Sequence, residues 1–235
     1  FSSRTQGSGV DIYDGRTGQP AFGLSSPNTI SGYGVYGTLL ADITADRVPE
    51  IITVGYDATG MRTIWVKTRG TETLQGWPKT FPEIHGWLGN YPMVADLDQD
   101  GVPEILVTFF EFDIGVLYLL RADGTPFINR PGRPAGEAFR TAATLSSATV
   151  GDLIGDSHPE IVLRGGHTLP GAGYETVHIL SYNGNPIPGW PISTPTDPGA
   201  VFSTPFAPLI DDIDGDGKAE LALISGPGVL YVWDF

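Results

Sequence analysis

Acidic residues recur along this chain at a spacing suited to gripping a hard cation. Two runs carry it most fully: Asp96-Leu97-Asp98-Gln99-Asp100-Gly101-Val102-Pro103-Glu104 and Asp212-Ile213-Asp214-Gly215-Asp216-Gly217-Lys218-Ala219-Glu220. Carboxylates at positions 1, 3, 5 and 9 of a tight loop converge on one point, and the position-7 carbonyl, of Val102 or Lys218, can join them. Oxygen-only ligation from several carboxylates in a flexible loop is what Ca²⁺ prefers, whereas Mg²⁺ demands a stricter octahedron and keeps more of its water. Glycine at position 6 (Gly101, Gly217) permits the positive φ of a sharp turn. Without a counter-ion four such carboxylates repel one another, so solubility alone explains the pattern poorly. An EF-hand opens in the same way but needs a bidentate Glu at position 12, where this chain has Val107 and Leu223 inside strand-like runs.

Two weaker copies flank these. Asp42, Thr44, Asp46 and Glu50 keep four oxygen donors, with Arg47 in place of the glycine. Asp152, Asp156 and Glu160 remain in the other, where Ile154 cannot ligate and Ser157 replaces the glycine. Metal occupancy of these two loops is left open; a lost site survives as a hydrogen-bonded turn.

The first aspartates, Asp42, Asp96, Asp152 and Asp212, are separated by 54, 56 and 60 residues. A period of that size means stacked supersecondary units, each too small to bury its own apolar face. Each unit reads as four strands. One runs into the acidic loop (35–40, 91–95), and a second leaves it (50–54, 104–109, 160–163, 220–224). A third alternates apolar and polar residues (62–67, 116–121, 176–181, 229–233), and a fourth is Pro-rich around Gly76-Trp77-Pro78 and Gly189-Trp190-Pro191. With 32 Gly and 20 Pro falling between these runs, many turns join many strands. Helical periodicity is nearly absent, and 135–143 is the one place for a short helix or ordered loop. Four short antiparallel strands per repeat predict an all-β β-propeller of four-stranded blades, about four of them visible in a single domain spanning 1–235. The expected divisions are a partial blade over 1–30, blades over 31–85, 86–140 and 141–200, and a blade lacking its outer strand over 201–235. A second chain or a further segment is expected to complete the ring.

The Asp-x-Asp-x-Asp-Gly-x-x-Glu loop followed by an apolar strand resembles the FG-GAP/VCBS repeat, the blade of integrin α-subunit-like propellers. The resemblance spans nearly the whole chain, strongly in two loops and partially in two. It implies Ca²⁺ at the loop positions named above, a secreted or cell-surface setting, and an adhesive or accessory role.

The remaining composition narrows the function. A net charge of −14 repels nucleic-acid phosphates. There is no cysteine for disulfides or thiolate metal sites, and no run approaches a membrane span. The chain opens at Phe1 rather than Met, as a processed product or a piece of a longer chain does. No Gly-x-Ser-x-Gly elbow, spaced histidine pair or phosphate loop is present, and Ser25-Ser26 and Ser146-Ser147 have no evident partner. The four histidines read as turn or strand-surface residues. Trp77 and Trp190, at matching repeat positions, read as packing between units, and Trp87 as an aromatic platform in a connecting loop. Arg130, Arg133 and Arg140 read as solvation of a long excursion. The expected function is a non-catalytic extracellular calcium-binding module for carbohydrate or protein. The alternative is a propeller-type polysaccharide lyase or glycosidase, or an accessory domain of a secreted peptidase.

Overall fold

Runs such as Glu50-Ile51-Ile52-Thr53-Val54 put β-branched side chains on both faces of an extended backbone, which suits strands covered on two sides. The computed structural model realises them as four antiparallel sheets, with no helix among the described residues. It describes residues 34–69, 72–84, 87–88, 91–111, 114–166, 174–195, 207–225 and 228–235, together with 16, 17 and 19. Nearly all of the partial blade expected over 1–30 lies outside the described residues, as do Ser25-Ser26, His85 and His167.

The first sheet is β1 (Gly34–Ala41), β2 (Glu50–Tyr56), β3 (Arg62–Lys67) and β4 (Lys79–Phe81), in that order. In the second, the leading strand is split into β5 (Trp87–Leu88) and β6 (Met93–Ala95), both pairing with β7 (Glu104–Glu111), followed by β8 (Ile114–Leu120) and β9 (Glu137–Thr141). The third repeats the split: β10 (Thr144–Leu145) and β11 (Thr149–Gly151) both pair with β12 (Glu160–Gly166), then β13 (Tyr174–Leu180) and β14 (Ile192–Pro195). The fourth has three described strands, β15 (Leu209–Asp211), β16 (Glu220–Ile224) and β17 (Leu230–Trp233).

The two-residue period of a strand sorts side chains between neighbouring sheets. Ile105, Val107 and Phe109 of β7 join Ile52, Val54, Ile64 and Val66 of the first sheet. Leu106, on the other face of β7, joins Leu117, Leu119, Ile161 and Leu163 between the second and third sheets. Val162, Val177 and Ile179 meet Leu221 and Leu223 between the third and fourth. The alternation therefore continues into the fourth sheet, whose outward face carries Leu209, Ala222, Ile224, Leu230 and Val232. Val54 and Ile64 are fully buried, whereas Ile224 is 54% and Leu230 61% exposed at the corresponding outward positions. Three sheet faces are covered by the next sheet; the fourth is bare among the described residues.

Several sequence expectations are corrected. The Gly-Trp-Pro runs are turns leading into β4 and β14 rather than strands, because the left-handed Gly76 and Gly189 bend the chain there (φ 91° and 90°). Trp77 and Trp190 do pack between units. The Trp77 Nε1–H donates to the Ala122 carbonyl of the next repeat at 2.8 Å, and the Trp190 ring lies 5.8 Å from Trp233. Trp87 belongs to β5, opposite Phe110, rather than to a loop. Residues 135–143 form β9 and its turn instead of a short helix or ordered loop; β8 requires a partner for its free edge, and Gly115 of β8 lets the chain pass closely, since a Cβ there would meet the Ala143 carbonyl at 2.4 Å. The arginines of the excursion are tied in rather than merely solvated. Arg130 donates to the carbonyls of Ala138 and Asn183, and Arg140 and Arg133 flank the fully buried Glu137.

His178 is also corrected, from a surface to a buried residue in β13, with the Phe139 ring 5.2 Å away and Thr176 Oγ1 3.1 Å from Nε2. Burial pushes its pKa down from 6.5 to about 4. A depressed folded-state value favours the neutral ring. Its contribution is therefore present above about pH 6.5 and lost as pH falls toward 4. Urea unfolding at pH 7, 5.5 and 4.5 is expected to show a loss of up to about 3 kcal/mol from this group, and His178→Leu to remove that part of the slope.

Candidate cation site

Each acidic loop joins the first strand of its sheet to the second, and all four share one hydrogen-bonded scaffold. The position-9 glutamate turns back from the head of the second strand, and its Oε2 accepts the position-2 backbone N–H. These bonds join Glu50 to Ile43 at 3.0 Å, Glu104 to Leu97 at 3.0 Å, Glu160 to Leu153 at 2.9 Å and Glu220 to Ile213 at 2.7 Å. The position-1 aspartate accepts the position-6 N–H: Arg47, Gly101, Ser157 and Gly217 donate to Asp42, Asp96, Asp152 and Asp212 at 2.7–3.0 Å. The position-5 aspartates Asp46, Asp100, Asp156 and Asp216 accept from the position-7 N–H groups of Val48, Val102, His158 and Lys218. Three of the four recurrent acids thus build the turn itself, by satisfying backbone donors that no strand can reach.

The geometry demands left-handed backbone at two positions, where the sequence pattern marks one. Position 4 has positive φ in every loop (Ala45 59°, Gln99 60°, Gly155 73°, Gly215 81°), as does position 6 (Arg47 69°, Gly101 89°, Ser157 73°, Gly217 92°). Only the fourth loop has glycine at both. A non-glycine residue there costs about 1–2 kcal/mol, partly offset by the ~0.5–1 kcal/mol entropy that glycine loses on folding. Arg47→Gly is expected to raise the unfolding free energy by roughly 0.5–1 kcal/mol, read from urea midpoints at constant m. A lower midpoint would refute the strain argument.

Position 3 is what distinguishes the loops: Thr44, Asp98, Ile154 and Asp214. Where it is aspartate, the side chains at positions 1, 3 and 9 draw together. Asp96, Asp98 and Glu104 each offer a carboxylate oxygen within 4.8 Å of the others, and so do Asp212, Asp214 and Glu220. The loops of Asp42, Thr44, Asp46 and Glu50 and of Asp152, Asp156 and Glu160 form no such triad among the described residues. Asp100 and Asp216 stand outside the triads, in their bonds to the turn.

The triads are electrostatically unfinished. Glu104 and Glu220 are 1% and 4% exposed. Asp96 Oδ1, Asp98 Oδ1 and Glu220 Oε1 are buried without a hydrogen-bond partner among the described residues. Burial, reinforced by Asp98 and Asp100, pushes the Glu104 carboxyl up to about 7 against the opposing Leu97 N–H and Arg121. Burial likewise raises Glu50 and Glu160. Buried acceptors that nothing donates to are expensive. Converging anionic oxygens of this kind fit a hard divalent cation, so these two triads can hold a metal ion.

The loops are also neighbours. Gln99 Nε2 of the second donates to the Ser157 carbonyl of the third. The sequence exposed the carboxylates but not the scaffold role of positions 1, 5 and 9. Their persistence in the two weaker copies was the available signal, since a residue kept where the ion set is broken serves the turn.

No protein-family model matches the chain, and no curated protein matches it. Among solved structures, the crystal structure of the V. cholerae biofilm matrix protein Bap1 is similar at 17% identity and a TM-score of 0.41, over 83% of this chain and 34% of that one. The chain therefore spans about a third of that protein's length.

Proposed function

We propose that this chain is a calcium-binding β-propeller segment of the FG-GAP/VCBS type, acting outside the cell as a non-catalytic binding or adhesion module for carbohydrate or a protein ligand. The observation that carries the reading is the position-3 aspartate. On a turn closed by positions 1, 5 and 9, Asp98 and Asp214 each add a further carboxylate, that of Asp214 also accepting the Asp216 N–H at 3.0 Å, and each makes a triad. Asp96, Asp98 and Glu104 would hold one ion, and Asp212, Asp214 and Glu220 another. The bound cation supplies positive charge that cancels the carboxylate repulsion and fixes the start of the second strand against the loop.

Blade architecture is supported by the stacking order of the sheets and by the crowding of their leading strands. A Cβ at Gly37 of β1 would meet Tyr91 and Pro92 at 3.0 Å, and one at Gly151 of β11 would meet Ile210 of β15 at 2.8 Å. Leading strands that converge this closely suit sheets arranged about an axis. The units are then the four divisions over 31–85, 86–140, 141–200 and 201–235, with 1–30 supplying part of another and a second chain or further segment closing the ring. An extracellular setting suits the sites, because loops of this kind fill at the ~10⁻⁴–10⁻³ M affinities typical of extracellular calcium modules. Binding is favoured over hydrolysis because the recurrent carboxylates at positions 1, 5 and 9 are engaged in the turns.

The test combines metal analysis with a polysaccharide and matrix-protein panel. About two calcium ions per chain, with calcium-dependent retention and no new reducing or unsaturated ends, is the expected result. New ends would turn the assignment to a lyase or glycosidase.

A further inference from the structure

The two triads differ in one neighbour. The residue after the third strand faces the head of the second across the register pairs Ile105↔Leu120 and Leu221↔Trp233. That residue is Arg121 in the second repeat and Asp234 in the fourth, with Thr68 and Ser181 in the other two. Arg121 uses the position to reach the acidic loop. Its Nη1 donates to Asp98 Oδ2 at 3.4 Å and lies 3.7 Å from Glu104 Oε1, an ion pair to a nearly fully buried carboxylate. The guanidinium rests on the Phe127 ring, its Cζ 4.9 Å from the centroid, and the side chain is 41% exposed. It therefore has an aromatic seat and room to move off the carboxylates. In the fourth loop the only cation of the run, Lys218, extends its Nζ toward the Phe235 carbonyl at 3.5 Å. Glu220 Oε1 there stays buried and without a hydrogen-bond partner among the described residues.

We propose that Arg121 is a tethered counter-ion that competes with the metal at Asp96, Asp98 and Glu104, so that the two sites are unequal. The Asp212, Asp214 and Glu220 site binds calcium first and tightly; the Arg121-guarded site fills at higher calcium. This rests on the cation-binding reading above. The physical ground is direct: a divalent ion at the triad must displace, or sit beside, a positive charge tethered a few ångströms away, whose repulsion persists even at high dielectric. The guanidinium already partly neutralises the carboxylates that the ion would need.

Calcium titration by calorimetry of the chelator-stripped chain tests this, with Asp98→Ala and Asp214→Ala assigning the two sites. Wild type is expected to show two classes, the tighter one lost in Asp214→Ala. Arg121→Ala and Arg121→Gln each tighten the weaker class by about ten-fold and leave the other unchanged, while Arg121→Lys, which keeps the charge, behaves as wild type. Two variants of different shape guard against a packing effect through Phe127. Affinities that stay within about two-fold in both variants, a weakening, or loss of the tight class in Asp98→Ala would overturn the proposal and leave the calcium sites standing. No uptake at either loop would overturn both.

Discussion

Stripping calcium from this protein is expected to lower its melting temperature, and adding it back to restore the lost degrees. A ligand held at about 100 times its Kd stabilises the folded state by roughly 2.7 kcal/mol per site. For a chain of this size each kcal/mol shifts the midpoint by about 2–4 °C, so each filled site is worth roughly 5–11 °C. Two sites together are large beside a typical total stability of about 5–15 kcal/mol. The scaffold bonds make the mutational pattern specific. Asp98→Ala and Asp214→Ala each remove about half of the calcium effect; in chelator Asp98→Ala stays close to wild type, whereas Asp214→Ala loses some stability because Asp214 Oδ1 accepts the Asp216 N–H at 3.0 Å. Asp96→Ala loses stability even in chelator, since Asp96 Oδ2 accepts the Gly101 N–H at 2.9 Å. Calorimetric scans with and without chelator, on protein whose metal content has been measured, decide it. An unchanged midpoint on verified removal of calcium would sink the metal role.

Glu175→Ala is expected to cost about 3–5 kcal/mol, with or without calcium. Arg164 of β12 is fully buried and Glu175 of β13 is 3% exposed, side by side in the third sheet. The Arg164 Nε donates to Glu175 Oε2 at 3.1 Å while Nη2 reaches Oε1, a two-pronged pair. Removing the carboxylate leaves a guanidinium charge in a site that water does not reach. Replacing both partners with hydrophobic residues of similar volume, Arg164→Met with Glu175→Leu, removes that buried charge and is expected to recover most of the loss. A double variant as unstable as Glu175→Ala would mean that other contacts of the two side chains dominate instead.

Much of the architecture was legible because strand periodicity and turn chemistry agree. The expected third strand over 62–67 is the observed Arg62–Lys67, and all four second strands begin at the position-9 glutamate as expected. What misled were segments whose fate is decided by distant partners. Residues 135–143 look locally irregular, but β8 offers an edge and they complete it. His178 alternates as a surface residue would, yet the neighbouring β9 closes over it through Phe139. Arg121 showed no pattern at all, because its bearing on Asp98 comes from strand register and not from sequence proximity. In the loops, the residue types announced cation chemistry, but the division of labour did not appear until the backbone donors were placed. Acids at positions 1, 5 and 9 are retained in all four repeats because the turn needs them; the acid at position 3 is retained only where a triad forms.

Among the described residues the last sheet is packed on one side only, so its opening liberates less apolar surface than opening any of the three before it. Amide hydrogens of β16 and β17 should accordingly exchange with solvent sooner than those of β7 or β12, and the fraying would run straight through the loop of Asp212, Asp214 and Glu220. An ion captured there can be held only while that terminal repeat is annealed to its neighbour. Its binding free energy would thereby be shared with local refolding, so the exchange of this sheet is expected to respond most steeply to calcium.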